Sequence, residues 1–218
     1  MTLESFADLL LNRPPAAALE AAEELVQNGT TGRALYLDVL APALRIVGKR
    51  WQAGVATVAQ EHLATATVKA IMARVSPLPV ALPPVGRRIL LACTDIELHD
   101  VGLRMVGDFL EADGWLTYYL GASTPNRDLA SLVDQVHPDA VGLSTTLDTH
   151  LPLAKAAIGT IRATSPTVFV VVGGVAFDSD NDLAMSFGAD AVAADAGRAS
   201  ALLRERFTPS PVAAPGVM

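Results

Sequence analysis

Cysteine is almost absent from this sequence, in which Cys93 is the single one among 218 residues. One cysteine excludes an intramolecular disulfide and a zinc cluster built from thiolates, and it predicts a reducing compartment, the cytoplasm. The sequence also lacks an apolar run of the ~18 residues that a membrane span needs. Its first residues, MTLESFADLL, do not have the basic start of a secretory signal. We therefore expect a cytoplasmic protein without a membrane partner.

Basic residues are in deficit as well. Against 23 Asp and Glu there are 16 Lys and Arg, which gives a formal net charge of −7. The second half holds the whole deficit, because residues 1–80 carry seven basic and seven acidic side chains, whereas residues 87–218 carry nine and sixteen. A nucleic-acid backbone needs a positive surface. We therefore predict no direct binding to DNA.

Aromatic residues make up only 5% of the chain, whereas hydrophobic residues of all kinds make up 51%. A core of Ala, Val and Leu is expected, in one large domain or two small ones. Residues 1–76 predict four helices with short connections, and therefore a four-helix bundle. Pro42 lies within the third helix and predicts a kink there. Thr57-x-x-Gln60 is a capping box at the start of the fourth helix.

The pattern changes after a proline-rich stretch, residues 77–88, which predicts a stiff linker. Five continuous apolar strands, each followed by a helical stretch, predict an α/β fold with an open, parallel, doubly wound (Rossmann-like) sheet over residues 89–207. The tail, residues 208–218, is predicted to be disordered. The strand segments are RRILLACT, WLTYYLG, DAVGLST, TVFVVVGG and ADAVAAD, and the helical stretches cover 100–113, 125–136, 149–164, 180–187 and 196–207.

Polar residues and glycines follow the first, third and fourth strands, at the end of an open sheet where ligands bind. A histidine that binds a metal through one ring nitrogen generally donates its other N–H to a carboxylate, and Glu97 is a candidate for that partner of His99. On its own, the E-x-H-x-x-G spacing of Glu97, His99 and Gly102 has the alternative interpretation of a solvated loop histidine. The dinucleotide pattern G-x-G-x-x-G is missing, which argues against a dinucleotide site. The candidate ligand-binding residues are Glu97, His99, Gly102, Ser144, Thr146, Gly173 and Gly174.

A helical bundle followed by a parallel sheet with these residues at its strand ends resembles the cobalamin-binding module of corrinoid proteins. The family loop D-x-H-x-x-G matches residues 97–102 with Glu in the place of Asp, and the family's S-x-L matches Ser144–Thr146 without its Leu. The glycine pair is Gly173-Gly174, and the resemblance covers about residues 1–207. It implies cobalamin bound base-off/His-on, with the dimethylbenzimidazole tail in the sheet domain and His99 as the lower ligand of cobalt.

The bundle resembles one branch of these proteins in particular. Trp51, nine intervening residues and Glu61-His62 match the Trp-x9-Glu-His pattern of the light sensors of the CarH/LitR type, where these residues cover the upper face of adenosylcobalamin. Each residue also has an ordinary interpretation, as core, helix-dipole partner and exposed side chain. The resemblance implies a non-enzymatic light sensor in which light cleaves the cobalt–carbon bond and shifts the bundle. The alternative is a corrinoid methyl carrier for a methyltransferase system.

Two departures from those light sensors shape the expected output. Gln52 stands where they have a histidine that binds cobalt after illumination, and His62 is the only histidine of the predicted bundle. Sensors that regulate transcription carry a DNA-binding domain before the bundle, whereas this sequence starts with the bundle. The resemblance therefore implies a stand-alone sensor that signals as a homo-oligomer (a dimer or larger) or through an unknown partner. Some stand-alone relatives, the photocobilins, also hold a bilin such as biliverdin, which makes a bilin a candidate second chromophore.

Overall fold

A computed structural model of the chain describes residues 1–75, 78, 82–177 and 181–207. A bundle of helices precedes a five-stranded parallel sheet, as the sequence predicts. The bundle consists of α1 (Leu3–Asn12), α2 (Pro15–Gln27), α3 (Gly32–Ala34), α4 (Ala41–Gln52) and α5 (Val58–Val75), with a π-helical segment, Leu35–Leu40, between α3 and α4. The sheet domain consists of β1 (Arg88–Cys93), α6 (Val101–Ala112), β2 (Leu116–Gly121), α7 (Asn126–Val136), β3 (Ala140–Ser144), α8 (Leu151–Thr164), β4 (Phe169–Gly173), α9 (Asn181–Ser186), β5 (Ala191–Ala193) and α10 (Ala196–Phe207).

Local signals in the bundle act as predicted. The N–H of Gln60 donates to Thr57 Oγ1 over 3.2 Å, and the N–H of Thr57 donates back to Gln60 Oε1 over 3.0 Å, so the capping box of α5 is formed. Pro42 is the second residue of α4, and the π-helical segment directly precedes that helix; a kink at Pro42 stays a prediction. Proline lacks an N–H and its ring crowds the preceding turn, and a wider turn relieves both effects.

The strand order β2-β1-β3-β4-β5, with every pair parallel, confirms the predicted doubly wound sheet. Alternate residues of β1 contact different helices. Leu90 packs in a cluster with Ile158 of α8, whereas Ile89 packs in a cluster with Leu110 of α6. Because β1 is covered on both faces, it has no polar side, which explains its continuous apolar run.

The bundle packs on α6 through one shared hydrophobic cluster. Tyr36 of the bundle stacks on Phe109 of α6, with ring centroids 5.8 Å apart, and its hydroxyl donates to Asp108 Oδ2 over 2.8 Å. Two ion pairs cross the same boundary. Arg33 Nη2 lies 2.6 Å from Asp113 Oδ1, and Lys69 Nζ lies 2.6 Å from Asp100 Oδ1.

Residues 77 and 79–81 of the predicted linker lie outside the described part of the chain, and so does the whole predicted tail, 208–218. The described second half of the linker is fastened to the sheet domain. The N–H of Leu82 donates to the carbonyl of Ala112 and the N–H of Val85 donates to that of Gly114, each over 2.9 Å. Within the described ranges, no helix combines the length and the apolar character needed to cross a bilayer.

Candidate functional site

The loop after β1 carries His99, whose ring is in hydrogen-bond contact with Glu97. Glu97 is fully buried, and its Oε1 lies 2.5 Å from Nδ1 of His99 and accepts the backbone N–H of His99 over 3.1 Å. The imidazole itself is 42% exposed. When Nδ1 donates its proton to a carboxylate, Nε2 keeps the lone pair that a metal would use. His99 is therefore oriented as a metal ligand.

The second oxygen of Glu97 faces the loop after β3, across the edge of the sheet formed by the carboxyl ends of the strands, which we call the sheet rim. It accepts the backbone N–H groups of Thr146 and Leu147, over 2.8 and 3.2 Å, and lies 3.0 Å from Nδ1 of His150. His150 lies at the start of a predicted helix, 149–164, and is not among the predicted site residues. The residue that could have indicated this contact is Glu97 itself, since Glu is one methylene longer than the family's Asp and reaches a partner on a second loop.

These contacts shift the pKa values of both groups. Burial is the largest influence on Glu97 and raises its pKa, but the hydrogen bonds from His99, Thr146 and His150 together outweigh burial and hold that pKa well below its usual range. The hydrogen bond to Glu97 raises the pKa of His99 against the effect of burial, and the charges of Glu61 and Asp100 add to the rise. Glu61 belongs to α5, so the start of this bundle helix lies within electrostatic reach of His99.

The predicted glycines have different surroundings. A Cβ on Gly173 would lie 2.8 Å from the carbonyl oxygen of Ala193, and one on Gly174, where φ is +98°, would lie 2.1 Å from that of Thr145. Close approach of neighbouring backbone therefore explains this pair without any ligand. A Cβ on Gly102 would meet nothing within 4 Å. The first turn of α6 is thus open at this position, and contact of Gly102 with a ligand stays a prediction.

Ser144 and Thr146 contribute differently to the rim. Ser144 ends β3, is 9% exposed and pairs with Cys93 of β1 and Gly173 of β4. Its backbone carbonyl accepts the N–H of Thr94 over 3.1 Å. Thr146 contributes its backbone N–H to Glu97, as described above. These two residues thus lie at the strand ends where the sequence predicts a ligand, and their contacts with a ligand stay a prediction.

Apolar side chains lie exposed beside this polar centre. The fraction exposed is 57% for Ile96, 70% for Leu98 and 58% for Val175, all on the sheet rim. Ile96 also has φ +58°, a left-handed conformation that is rare for a β-branched residue and that clusters at binding sites. On the bundle, Val58 and Leu63 at the start of α5 are exposed by 50% and 45%. A ligand with apolar surface would cover these groups.

The predicted roof residues lie on α4 and α5. Trp51 is partly buried and packs against the bundle core, which agrees with its ordinary interpretation as a core residue. Glu61 uses both oxygens within α5, since Oε2 lies 2.7 Å from Nδ1 of His62 and Oε1 accepts the hydroxyl of Thr65 over 2.9 Å. His62 is 74% exposed. The three side chains thus lie at or near the connection between α4 and α5, and their contact with a cofactor stays a prediction.

A cleft of about 320 Å³ lies at the boundary between bundle and sheet domain, next to the His99 loop. Asp100 connects the two, because it follows His99 and forms the ion pair with Lys69 on the opposite wall. Tyr119 Oη also lies 3.2 Å from Asp100 Oδ2. The residues that line the cleft are Lys69, Met72, Ala73, Asp100, Arg104, Asp108 and Tyr119. Bundle and loop are therefore joined directly at the candidate site.

Comparison with known proteins identifies relatives along most of the chain. The family model described as B12 binding domain matches residues 87–203, and a second model with the same description matches residues 2–76. The HTH-type transcriptional repressors CarH and CarA of Myxococcus xanthus are 39% and 37% identical to this chain over 142 and 143 residues. Each alignment covers 64% of this chain but only 46% and 47% of the repressor, so the chain spans about half the length of these curated relatives.

Corrinoid proteins of methanogens are also similar. Dimethylamine corrinoid protein 1 of Methanosarcina acetivorans is 27% identical over 111 residues, which is 50% of this chain and 51% of that protein. The monomethylamine corrinoid protein of Methanosarcina barkeri superimposes with a TM-score of 0.78 at 19% identity, over 93% of this chain and 97% of the other. At this identity the superposition shows that the fold is shared.

The described residues fit the cobalt centre of cobalamin (vitamin B12). The Nε2 atom of His99 is available as a ligand, its other nitrogen is anchored by a buried carboxylate, and the first turn of α6 is open at Gly102. The two family models together cover the bundle and the sheet domain, and the larger one covers more than half of the chain. This chain therefore belongs to the B12-binding domain family.

Proposed function

We propose that this protein is a non-enzymatic light sensor that binds adenosylcobalamin base-off/His-on, with His99 as the lower ligand of cobalt, and signals through movement of its bundle. The observation that favours this function is the Trp51-x9-Glu61-His62 pattern near the connection between α4 and α5, together with 39% identity to the CarH repressor. The His99–Glu97 pair supports the cobalt ligand itself. A ligand that contacts both the sheet rim and α5 can favour one arrangement of bundle and sheet over another. When bound, the cofactor supplies a light-sensitive cobalt–carbon bond.

In this proposal, different residues of the chain bind or accommodate different parts of the cofactor. Glu97 fixes the ring orientation of His99, and Gly102 leaves room beside the first turn of α6. Trp51 and Glu61-His62 cover the adenosyl group, as the resemblance to the CarH/LitR light sensors implies. The exposed apolar residues of the rim and of α5 would be covered by the cofactor, which adds a hydrophobic contribution to its affinity.

Movement of the bundle would break the polar contacts that cross to α6. Lys69 is 46% exposed and Arg33 is 32% exposed, and ion pairs of such accessibility contribute little, about 0–1 kcal/mol each. Because the described second half of the linker is fastened to the sheet domain, we expect it to stay with that domain when the bundle moves. The moved bundle would then promote self-association, as a dimer or larger oligomer, or the binding of a partner other than DNA.

The second candidate function is that of a corrinoid methyl carrier in a methyltransferase system. Two observations favour it: the similarity to the dimethylamine corrinoid proteins, and the packing of Trp51 against the bundle core, which leaves this side chain with an ordinary structural role. Both candidates use His99 in the same way. They differ in the upper ligand of cobalt and in the response to light. A bilin as second chromophore stays an implication of the resemblance.

The deciding experiment loads the protein with adenosylcobalamin or methylcobalamin in the dark and records absorption spectra and gel-filtration profiles before and after green light. The light sensor binds adenosylcobalamin more tightly, and its spectrum and elution volume change together on illumination. His99→Ala, the matched control, should lose the base-off/His-on spectrum with both forms. Preference for methylcobalamin, with neither spectrum nor elution volume changed by light, would favour the methyl carrier instead.

A further inference from the structure

The ring of His150 lies beside the candidate site, in contact with Glu97. It lies at the end of a short 3-10 helix, Asp148–His150, and precedes α8. Its backbone N–H donates to the carbonyl of Leu147 over 2.8 Å, which fixes the backbone next to the β3 loop. The side chain is only 13% exposed, and its Nδ1 lies 3.0 Å from Oε2 of the fully buried Glu97. A buried carboxylate thus lies between two imidazoles, one on each side of the rim.

We infer that His150 is a positioning residue for the cobalt ligand: it holds one oxygen of Glu97 on the β3 side, so that the other oxygen stays on Nδ1 of His99. The inference rests on the proposed role of His99. A carboxylate is planar, so fixing Oε2 also fixes the plane and direction of Oε1. The tautomer of His99 with the proton on Nδ1, and hence the lone pair on Nε2, follows from that direction.

The other donors to Oε2 do not replace His150. The backbone N–H groups of Thr146 and Leu147 belong to consecutive residues of one loop, and they approach the oxygen from that loop alone. The ring of His150 comes from the short 3-10 helix that follows this loop. With three donors the oxygen is held by two elements, and loss of His150 leaves it held by the loop alone. Contacts behind a metal-binding histidine of this kind typically contribute about 10–100-fold to metal affinity.

The test compares two substitutions of His150 that differ in one property. His150→Asn keeps an N–H donor close to the position of Nδ1, whereas His150→Leu has a similar size and no donor. The first measurement needs no cofactor: nitrogen-15 NMR of the cofactor-free protein reports which ring nitrogen of His99 carries the proton. We expect a single Nδ1–H tautomer in the wild type and in His150→Asn, and a mixture of tautomers in His150→Leu.

The second measurement is a titration with cobalamin, followed by the base-off/His-on absorption spectrum. His150→Leu should bind about tenfold more weakly, whereas His150→Asn should stay within about threefold of the wild type. Unchanged tautomer and affinity in a folded Leu variant would overturn the inference, as would equal losses in both variants, which indicate a merely structural role. If the Leu variant does not fold, His150→Gln replaces it, because its donor lies near the position of Nε2 rather than Nδ1.

The two proposals can fail separately. If the wild type does not bind cobalamin but the NMR spectra show that His150→Leu alone scrambles the His99 tautomer, the positioning role stands and the proposed function falls. If cobalamin binds through His99 and the tautomer is insensitive to residue 150, the function stands and the positioning role falls.

Discussion

Replacing Glu97 with Gln tests the core of the candidate site, because the change removes one charge and almost no volume. The carboxylate accepts from donors on both sides: two N–H groups of His99 on Oε1, and Thr146, Leu147 and His150 on Oε2. An amide has one oxygen and one NH2 group, so its NH2 must point at donors on one side or the other. With the histidine tautomers unchanged, at least two hydrogen bonds are lost whichever way the amide turns.

The cost follows from the burial of the site. A buried donor left without a partner costs about 1–3 kcal/mol, and release of a desolvated charge offsets part of that loss. We therefore expect Glu97→Gln to lower the free energy of unfolding by about 3 kcal/mol. For a chain of this size that corresponds to a fall in Tm of about 6–12 °C. If the NH2 group turns toward His99, Nδ1 becomes an acceptor and the proton moves to Nε2, which removes the metal-binding lone pair.

The assay combines urea denaturation of the cofactor-free protein with a cobalamin titration. Glu23→Gln, on an exposed position of α2, is the matched control and should change stability by no more than about 0.5 kcal/mol. Glu97→Asp keeps the charge but is one methylene shorter, so it should keep the contact with His99 and lose the contact with His150. A Glu97→Gln protein that loses less than about 1 kcal/mol and binds cobalamin normally would falsify this account of the site.

Three further predictions use other parts of the molecule. Gly174→Ala should destabilise the fold by about 3 kcal/mol or more in chemical denaturation, because φ is +98° and the new Cβ would meet the carbonyl of Thr145. Gly102→Ala should not lower stability, since a Cβ there has free space, but it should weaken cobalamin binding. Equal loss of stability in the two variants would contradict the packing explanation. Trp51→Ala should keep cobalamin binding and reduce the preference for adenosylcobalamin over methylcobalamin, and equal preference before and after the change would favour the methyl carrier. Gln52→His should slow the loss of cobalamin after green light, measured by gel filtration, because imidazole is a better cobalt ligand than an amide; equal retention in both proteins would count against a role for this position.

Much of the fold could be predicted because its signals are local. The capping box at Thr57 acts through residues three apart, and the apolar runs of the strands depend only on the coverage of both sheet faces. The end of the first strand was likewise visible, so His99 could be placed on a ligand-binding rim. The glycine pair was harder to interpret. A sequence pattern does not distinguish room for a ligand from close contact with backbone, and Gly174 needs the latter.

The sequence by itself determined the elements and the parallel sheet, because these depend on hydrophobic period and caps within one segment. The resemblance of one short motif to a known family implied His99 as the candidate cobalt ligand. Only the tertiary structure decided what surrounds that ligand. The order of the strands places β1 next to β3, and this brings Glu97 to His150, 53 residues away in the chain. The packing of the bundle on the sheet domain pairs Asp100 with Lys69, and this ion pair joins the loop to the bundle. Such contacts depend on the packing of whole elements, and no local pattern encodes which side chains of distant loops will meet.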